Sequence, residues 1–322
     1  MKGEFHIDGD GSYENYRLLV EQYGYRSMVA VPGLKNIEVT EWPDEDGIEA
    51  DLSAPVLAPR TVSMPFVFTD INMMSLFYNV ISDGAYHTFG FTEIGLTVSL
   101  RLLHSPSLSS FIRLGRVSMT FIEDAPSVPS DTPYEEGVTR VTQRGYLLDG
   151  VDLSRFGCWV LDGSIQSVMK APSVKENIVI GNSSVAGQTY LPHTHKEGEK
   201  VISDVFFKAK DATLKLLINA RGLTEFWKCW NALFHYLTLP GEKELAISDM
   251  AEYYSCYYKS CNVVRFDVRR SGTVWCEFDL TLTFLSFRPG ARIVVLSSEA
   301  GEIITTEEDG AYINLTLPLF DK

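Results

Sequence analysis

The chain states one order of segments twice. The first half contains YGYRSMVAVPGLKNIEV, from Tyr23, and the second FGCWVLDGSIQSVMKAPSVKENIVI, from Phe156. Each passes from an aromatic-Gly pair into an alternating strand. Each then meets a Pro-x-aliphatic-Lys element, with Pro32, Leu34 and Lys35 in one half and Pro172, Val174 and Lys175 in the other. A long polar stretch follows: EWPDEDGIEADLSAPVLAPR, then GNSSVAGQTYLPHTHKEGEK. Next comes a strand, TVSMPFVF from Thr61 and VISDVFFKA from Val201, and after it a helix. A repeated order of elements means a repeated supersecondary unit, and it prunes the possible folds more than any single motif here.

The spacing predicts a first helix over residues 71–82, with Met73, Phe77, Val80 and Ile81 on one face and Asp83-Gly84 as its stop. In the second, Phe226, Trp230, Leu233, Phe234 and Leu237 recur at helical period, with Thr224 as N-cap and Pro240-Gly241 as terminator. One helix among many strands must lie on a sheet to bury such a stripe. GLTVSLRLL, FIRLGRVSMTFIE, KELAIS and VVRFDVRRSGTVWCEFDLTLTFLSF all alternate with period two, as half-buried strands do. Arg270-Ser271-Gly272 reads as a turn and Leu114-Gly115-Arg116 as a bulge or kink. The expected fold is mainly β (β+α): two tandem β-sandwich domains, each with one flanking helix. Residues 1–12 are expected as an arm, 13–123 as the first domain, 124–137 (with Pro126, Pro129 and Pro133) as a linker, 138–290 as the second domain and 291–322 as a C-terminal β extension.

Charge narrows the function. With 28 basic against 42 acidic residues the net charge is −14, the wrong balance for a protein that grips nucleic acid through released counterions. A protein that lets DNA pass without sticking would want it. No apolar run is long enough for a membrane span, and MKGEFHIDGDGSYEN lacks the apolar core of a secretory signal, so a cytoplasmic origin is expected. The five cysteines form no CxxC and read as reduced, semi-buried thiols.

The densest chemistry lies in WPDEDGIEADLS, where Asp44, Asp46, Glu49 and Asp51 are candidate ligands for a hard divalent cation. Asp44, Asp46 and Gly47 do not fall in the EF-hand register, however, and the matching slot of the second half holds His193, His195 and Lys196 instead. An acidic contact loop is the expectation there. HIDGDGS, with Asp8, Asp10 and Ser12, also evokes a calcium loop but has Tyr13 where glycine belongs; His193 and His195 have a strand-like metal alternation, with no third ligand nearby in sequence except Glu197 or a distant His. No G-x-S-x-G, P-loop or G-x-G-x-x-G is present, so no catalytic residue and no cofactor is expected. The run Tyr253, Tyr254, Tyr257, Tyr258 reads as strand surface.

Three blocks, WPDEDGIEADLS, FWKCWNALFHYLTLPGEKELAIS and YYSCYYKSC, resemble wording in bacteriophage distal tail proteins and related tail-tube components of a Bacteroidetes-type phage or prophage. That resemblance implies tube-like domains arranged in a ring around a channel through which DNA passes. The chain would be a virion protein assembled in the host cytoplasm. It would join the tube to the adsorption apparatus and meet copies of itself, as trimer or hexamer, and neighbouring tail proteins. Trp42, Asp44, Glu45, Asp46, Glu49, Asp51, His193 and His195 are then candidates for contacts between subunits. A carbohydrate- or Ca²⁺-binding pair of β-sandwiches is the alternative.

Overall fold

The computed structural model describes residues 2–42, 45–111, 114–127, 129, 141–175, 206–248, 252–287, 292–295 and 314–317. The first repeat runs β1 (His6–Ile7), β2 (Asp10–Gly11), α1 (Ser12–Tyr16), β3 (Leu18–Val20), α2 (Arg26–Val29), β4 (Val39–Thr40), β5 (Glu49–Ala50), β6 (Arg60–Phe68), α3 (Ile71–Ile81), β7 (His87–Phe91), β8 (Leu96–Phe111) and β9 (Leu114–Glu123). The second runs β10 (Tyr146–Leu148), β11 (Val151–Asp152), a 3-10 turn (Leu153–Phe156), β12 (Cys158–Val160), α4 (Ser164–Met169), β13 (Lys210–Ala220), α5 (Leu223–Thr238), β14 (Lys243–Ile247), β15 (Glu252–Val268) and β16 (Val274–Phe284). A separate antiparallel pair joins β17 (Arg292–Val295) to β18 (Asn314–Leu317).

Each repeat builds a seven-stranded antiparallel sheet in the same order: β2-β1-β7-β8-β9-β6-β3 and β11-β10-β14-β15-β16-β13-β12. The match extends to single residues. Asp8-Gly9 and Asp149-Gly150 both have positive φ, the left-handed pair that a two-residue hairpin requires, and they close β1-β2 and β10-β11. The long strand of each sheet serves two partners. Residues 96–100 of β8 pair with β7 and 101–111 with β9; residues 252–256 of β15 pair with β14, and the remainder with β16. Register slips fall just past Leu102 and just past Tyr258, the same place in both strands.

These sheets are curled. Phe5, just before β1, and Phe66 of β6 belong to tracks four strand spacings apart, roughly 19 Å in a flat sheet. Their ring centroids lie 5.4 Å apart. Phe89 of β7 likewise meets Phe121 of β9 edge to face at 5.2 Å. The seam of the curl is hydrogen-bonded. In the first repeat the Val20 amide donates to the Gly3 carbonyl at 2.7 Å. In the second, Gln143 takes that place with its side chain, accepting from the Val160 amide at 2.6 Å and donating to the Val160 carbonyl at 3.0 Å. β3 stops at Val20 because its next partner, Pro65, has no N–H to give.

Alternation explains the strands: Val62, Met64, Phe66 and Phe68 of β6 face inward, as do Ala212, Leu214, Leu216, Ile218 and Ala220 of β13. Helix α5 buries all five stripe residues. Its N-cap is Gly222 rather than Thr224, and Glu225 reaches back to accept from the Arg221 amide. Helix α3 is capped by Asp70 and buries Met74, Phe77 and Ile81; Met73 and Val80 lie on its exposed side, so the expected face was rotated. Both helices pack on their own curled sheet.

Several expectations need correction. Residues 2–12 are no arm: they supply β1, β2 and the fully buried Phe5, and the Asp8-Gly9 pair is the two-residue turn signal of a hairpin. The counterpart of Phe156-Gly157 is Tyr16-Arg17, both left-handed exits into an edge strand, and not Tyr23-Gly24, which leads into α2. The strand that precedes α5 is β13; of the strand expected from Val201, residues 201–205 lie outside the described residues, and Phe207 forms an isolated bridge to Val174, matching Leu57 with Leu34. No bulge lies at residues 114–116, where β9 pairs regularly with β8. Most of the expected linker and of residues 291–322 falls outside the described residues.

Candidate functional site

The acidic stretch lies against the second repeat of its own chain, and its main chain does most of the work. Lys175, buried, donates from Nζ to the carbonyls of Trp42 (2.6 Å), Glu45 (2.8 Å) and Gly47 (2.8 Å), with the Glu41 carboxylate 3.6 Å away. A buried ammonium needs such partners, since desolvating it unpaired is costly. The Gly47 amide donates to the Phe207 carbonyl, Ile48 to Leu285, and Gly241 donates back to Leu52. Gly47 has φ +79, and a Cβ there would stand 1.7 Å from the Leu285 carbonyl oxygen. Only glycine permits that approach.

The candidate ligands are used separately. Asp46 accepts from the Phe207 amide at 2.8 Å, and Asp51 from the Ser53 amide at 3.0 Å, which holds the Asp51 carboxyl below its usual range. Trp42, Glu45 and Glu49 are exposed. Among the described residues no three His, Cys, Asp or Glu side chains are grouped as a metal ion would require. Asp44, His193 and His195 lie outside the described residues. In HIDGDGS, the Asp8 carboxylate is used by His87 and the Thr88 amide, while Ser12 Oγ accepts from the Phe5 amide.

The rest of the inter-repeat contact uses α2, the segment after it, and β15. Arg26 donates to the Val264 carbonyl at 3.2 Å, and the buried Tyr258 hydroxyl donates to the Val31 carbonyl at 2.7 Å. A Cβ on Gly33 would meet the Lys259 carbonyl oxygen at 2.1 Å. Trp227 of α5 donates to the Ile94 carbonyl at 2.7 Å. Met28, Val31 and Leu57 join Trp230 and Phe266 in one apolar cluster, so the two repeats share a core. Beside it opens a cleft of about 650 Å³, lined by α2, the start of β8, Pro126, Pro129 and the Trp227–Trp230 face of α5.

Two charged positions recur in both repeats, and neither was expected from sequence. Arg60 begins β6, pairs with Glu123 and donates to the Met28 carbonyl; Lys210 begins β13 and donates to the carbonyls of Val168 and Lys170. Burial pushes the Lys210 amine down to about 8, and its Nζ sits 3.8 Å from the centroid of Phe287. The second position opens β7 and β14. His87 bridges Asp8 (2.6 Å) and Asp83 (3.1 Å), and Lys243 occupies its place beside Tyr236, whose hydroxyl donates to Asp149. Burial opposes the charged form of His87, but the hydrogen bonds and charges of Asp8 and Asp83 outweigh it and raise its pKa.

The cysteines form no disulfide, and burial pushes Cys229 up to about 11 and Cys256 to about 12, leaving both as thiols at neutral pH. Among the described residues, no helix is long and apolar enough to cross a membrane.

No protein-family model matches the chain. No curated protein matches it either. Among solved structures it is similar to the Dit protein (gp 19.1) of phage SPP1, described as a paradigm of the hub adsorption apparatus in phages infecting Gram-positive bacteria. The two are 9% identical with a TM-score of 0.29, over 87% of this chain and 98% of that one. A likeness this slight carries no argument.

Proposed function

We propose that the chain is a structural subunit of a phage tail, of the distal tail or tube-ring kind. It assembles with copies of itself into a ring around the DNA channel and joins the tube to the adsorption apparatus. The observation that carries this reading is the way the repeats meet. The first repeat offers α2, residues 31–34 and the acidic loop, while the second offers β15, α5 and Lys175. Like units joined through unlike faces make a heterologous contact, and a heterologous contact extends into rings or filaments where a twofold one closes on a pair. The net charge of −14 agrees, because a channel lined with carboxylates repels phosphates. The three sequence blocks that resemble distal tail proteins agree as well. Trp42, Glu45, Glu49 and Asp51, left exposed on the loop, are available to neighbouring rings.

Negative-stain electron microscopy of the purified protein tests the proposal. The expected result is rings of about six β-units around a central hole. A population of single two-lobed particles at every concentration tried overturns it.

A further inference from the structure

Duplication gives the chain two versions of one surface, and among the described residues only one of them is covered. In the first repeat, α2 and residues 31–34 lie under β15 of the second: Val29 is 2% exposed, Val31 is buried, and Tyr258 and Arg26 fasten the contact. The second repeat carries the same segment as α4 and residues 171–174. The equivalence is tight. Ser27 Oγ donates to the Ser63 carbonyl of β6, and Ser167 Oγ accepts from the Thr213 amide at the matching position of β13; the bridge Leu34–Leu57 is repeated as Val174–Phe207. Here, however, Met169 stands where Val29 stood and is 48% exposed, and Val174, in place of Leu34, is 47% exposed.

The complementary surface is duplicated too. β15, which covers the first repeat's segment, corresponds to β8, with Leu102 at the position of Tyr258 and the same register slip just beyond it. We infer that the edge formed by Met169, Ala171 and Val174 docks on β8 of a second copy, around Leu102–His104. The contact repeats between chains the one made within each chain. A heterologous interface already present once per molecule, with its unused halves on opposite repeats, calls for this continuation.

The second contact is not a replica. Ser173 replaces Gly33, and since a Cβ on Gly33 would meet the Lys259 carbonyl oxygen at 2.1 Å, the two backbones stand further apart there. Leu102 lacks the hydroxyl by which Tyr258 holds Val31. Apolar burial of Met169 and Val174 is what remains, so the contact between copies is weaker than the one inside the chain and forms after folding.

The inference rests on the ring reading above only in that copies must meet. Its test is mass photometry on the full chain and on M169E/V174E, with Leu76→Glu, an equally exposed leucine on α3, as control. A thermal melt of each accompanies it. The expected result is oligomers for the wild type and the control, and a rise of at least about tenfold in the apparent dissociation constant for the double variant with an unchanged melt. A double variant that assembles like the wild type overturns this face while leaving the ring reading intact. A wild type that stays monomeric at all concentrations overturns both.

Discussion

At the scale of single residues, the inter-repeat contact depends on main-chain proximity that charge patterns do not reveal. Glycine pairs make this measurable. Gly47 and Gly84 share φ +79, but only Gly47 has a carbonyl oxygen where its Cβ would go; Gly84 faces open space. Gly84→Ala is expected to cost about 1 kcal/mol, the ordinary penalty of a left-handed alanine. Gly47→Ala adds a collision between repeats and is expected to cost several times as much, on the order of 3 kcal/mol or more. Urea melts of the two variants check this, and equal losses would mean the loop gives way freely. The same residues explain what was legible. The Pro-x-aliphatic-Lys element stood out in the sequence at both positions, yet the partners of Lys175 are three carbonyls, and carbonyls leave no trace in a sequence. The carboxylates of WPDEDGIEADLS drew attention to metal chemistry while its backbone held the repeats together.

At the scale of elements, the His87 bridge ties the β1-β2 turn to the end of α3. Its pH dependence has two limits. Asp8 is subject to desolvation, but the hydrogen bonds of His87 and the Thr88 amide hold its pKa below the ordinary value; the Ala85 amide and His87 do the same for Asp83. The bridge therefore weakens in acid as pH falls through those lowered values. His87 itself is raised, so its contribution is complete below the ordinary histidine pKa of about 6.5 and is lost as pH climbs through the raised one. His87→Lys copies the second repeat's Lys243 and extends the cation to alkaline pH. Melting temperatures at pH 6 and pH 8.5 are expected to differ less in the variant than in the wild type. An unchanged difference would show that the bridge does not report on this hairpin. Legibility at this scale followed pattern strength. α5 displayed an aromatic stripe and was read correctly except for its cap. β13 hides its alternation behind small and charged residues, with Ala212 between Lys210 and Lys215 and Ala220 before Arg221, and the nearby apolar run from Val201 carries the more obvious pattern.

At the scale of the whole molecule, the two sheets form one body because they share a core, the Lys175 cage and the hydroxyl of Tyr258. A protease site placed within residues 130–137 and cut is expected to leave both halves eluting together in native size-exclusion chromatography and parting only in denaturant. Separation in plain buffer would mean the peptide connection, and not the interface, keeps them joined. The duplication is legible because it preserves order; the aromatic-Gly landmark of the first repeat is out of phase by seven residues (Tyr23 against Tyr16) because edge strands of three residues carry little periodic signal.

The two seams of the curled sheets are closed by different means. At Gly3 the backbone itself lies along β3, fixed on one side by Val20 and on the other by the carboxylate of Glu93. At Gln143 only an amide head touches β12. Closure of the second unit therefore hangs on the identity of one side chain, whereas closure of the first hangs on Gly3 having none, since a Cβ there would stand 2.4 Å from the Val20 carbonyl oxygen.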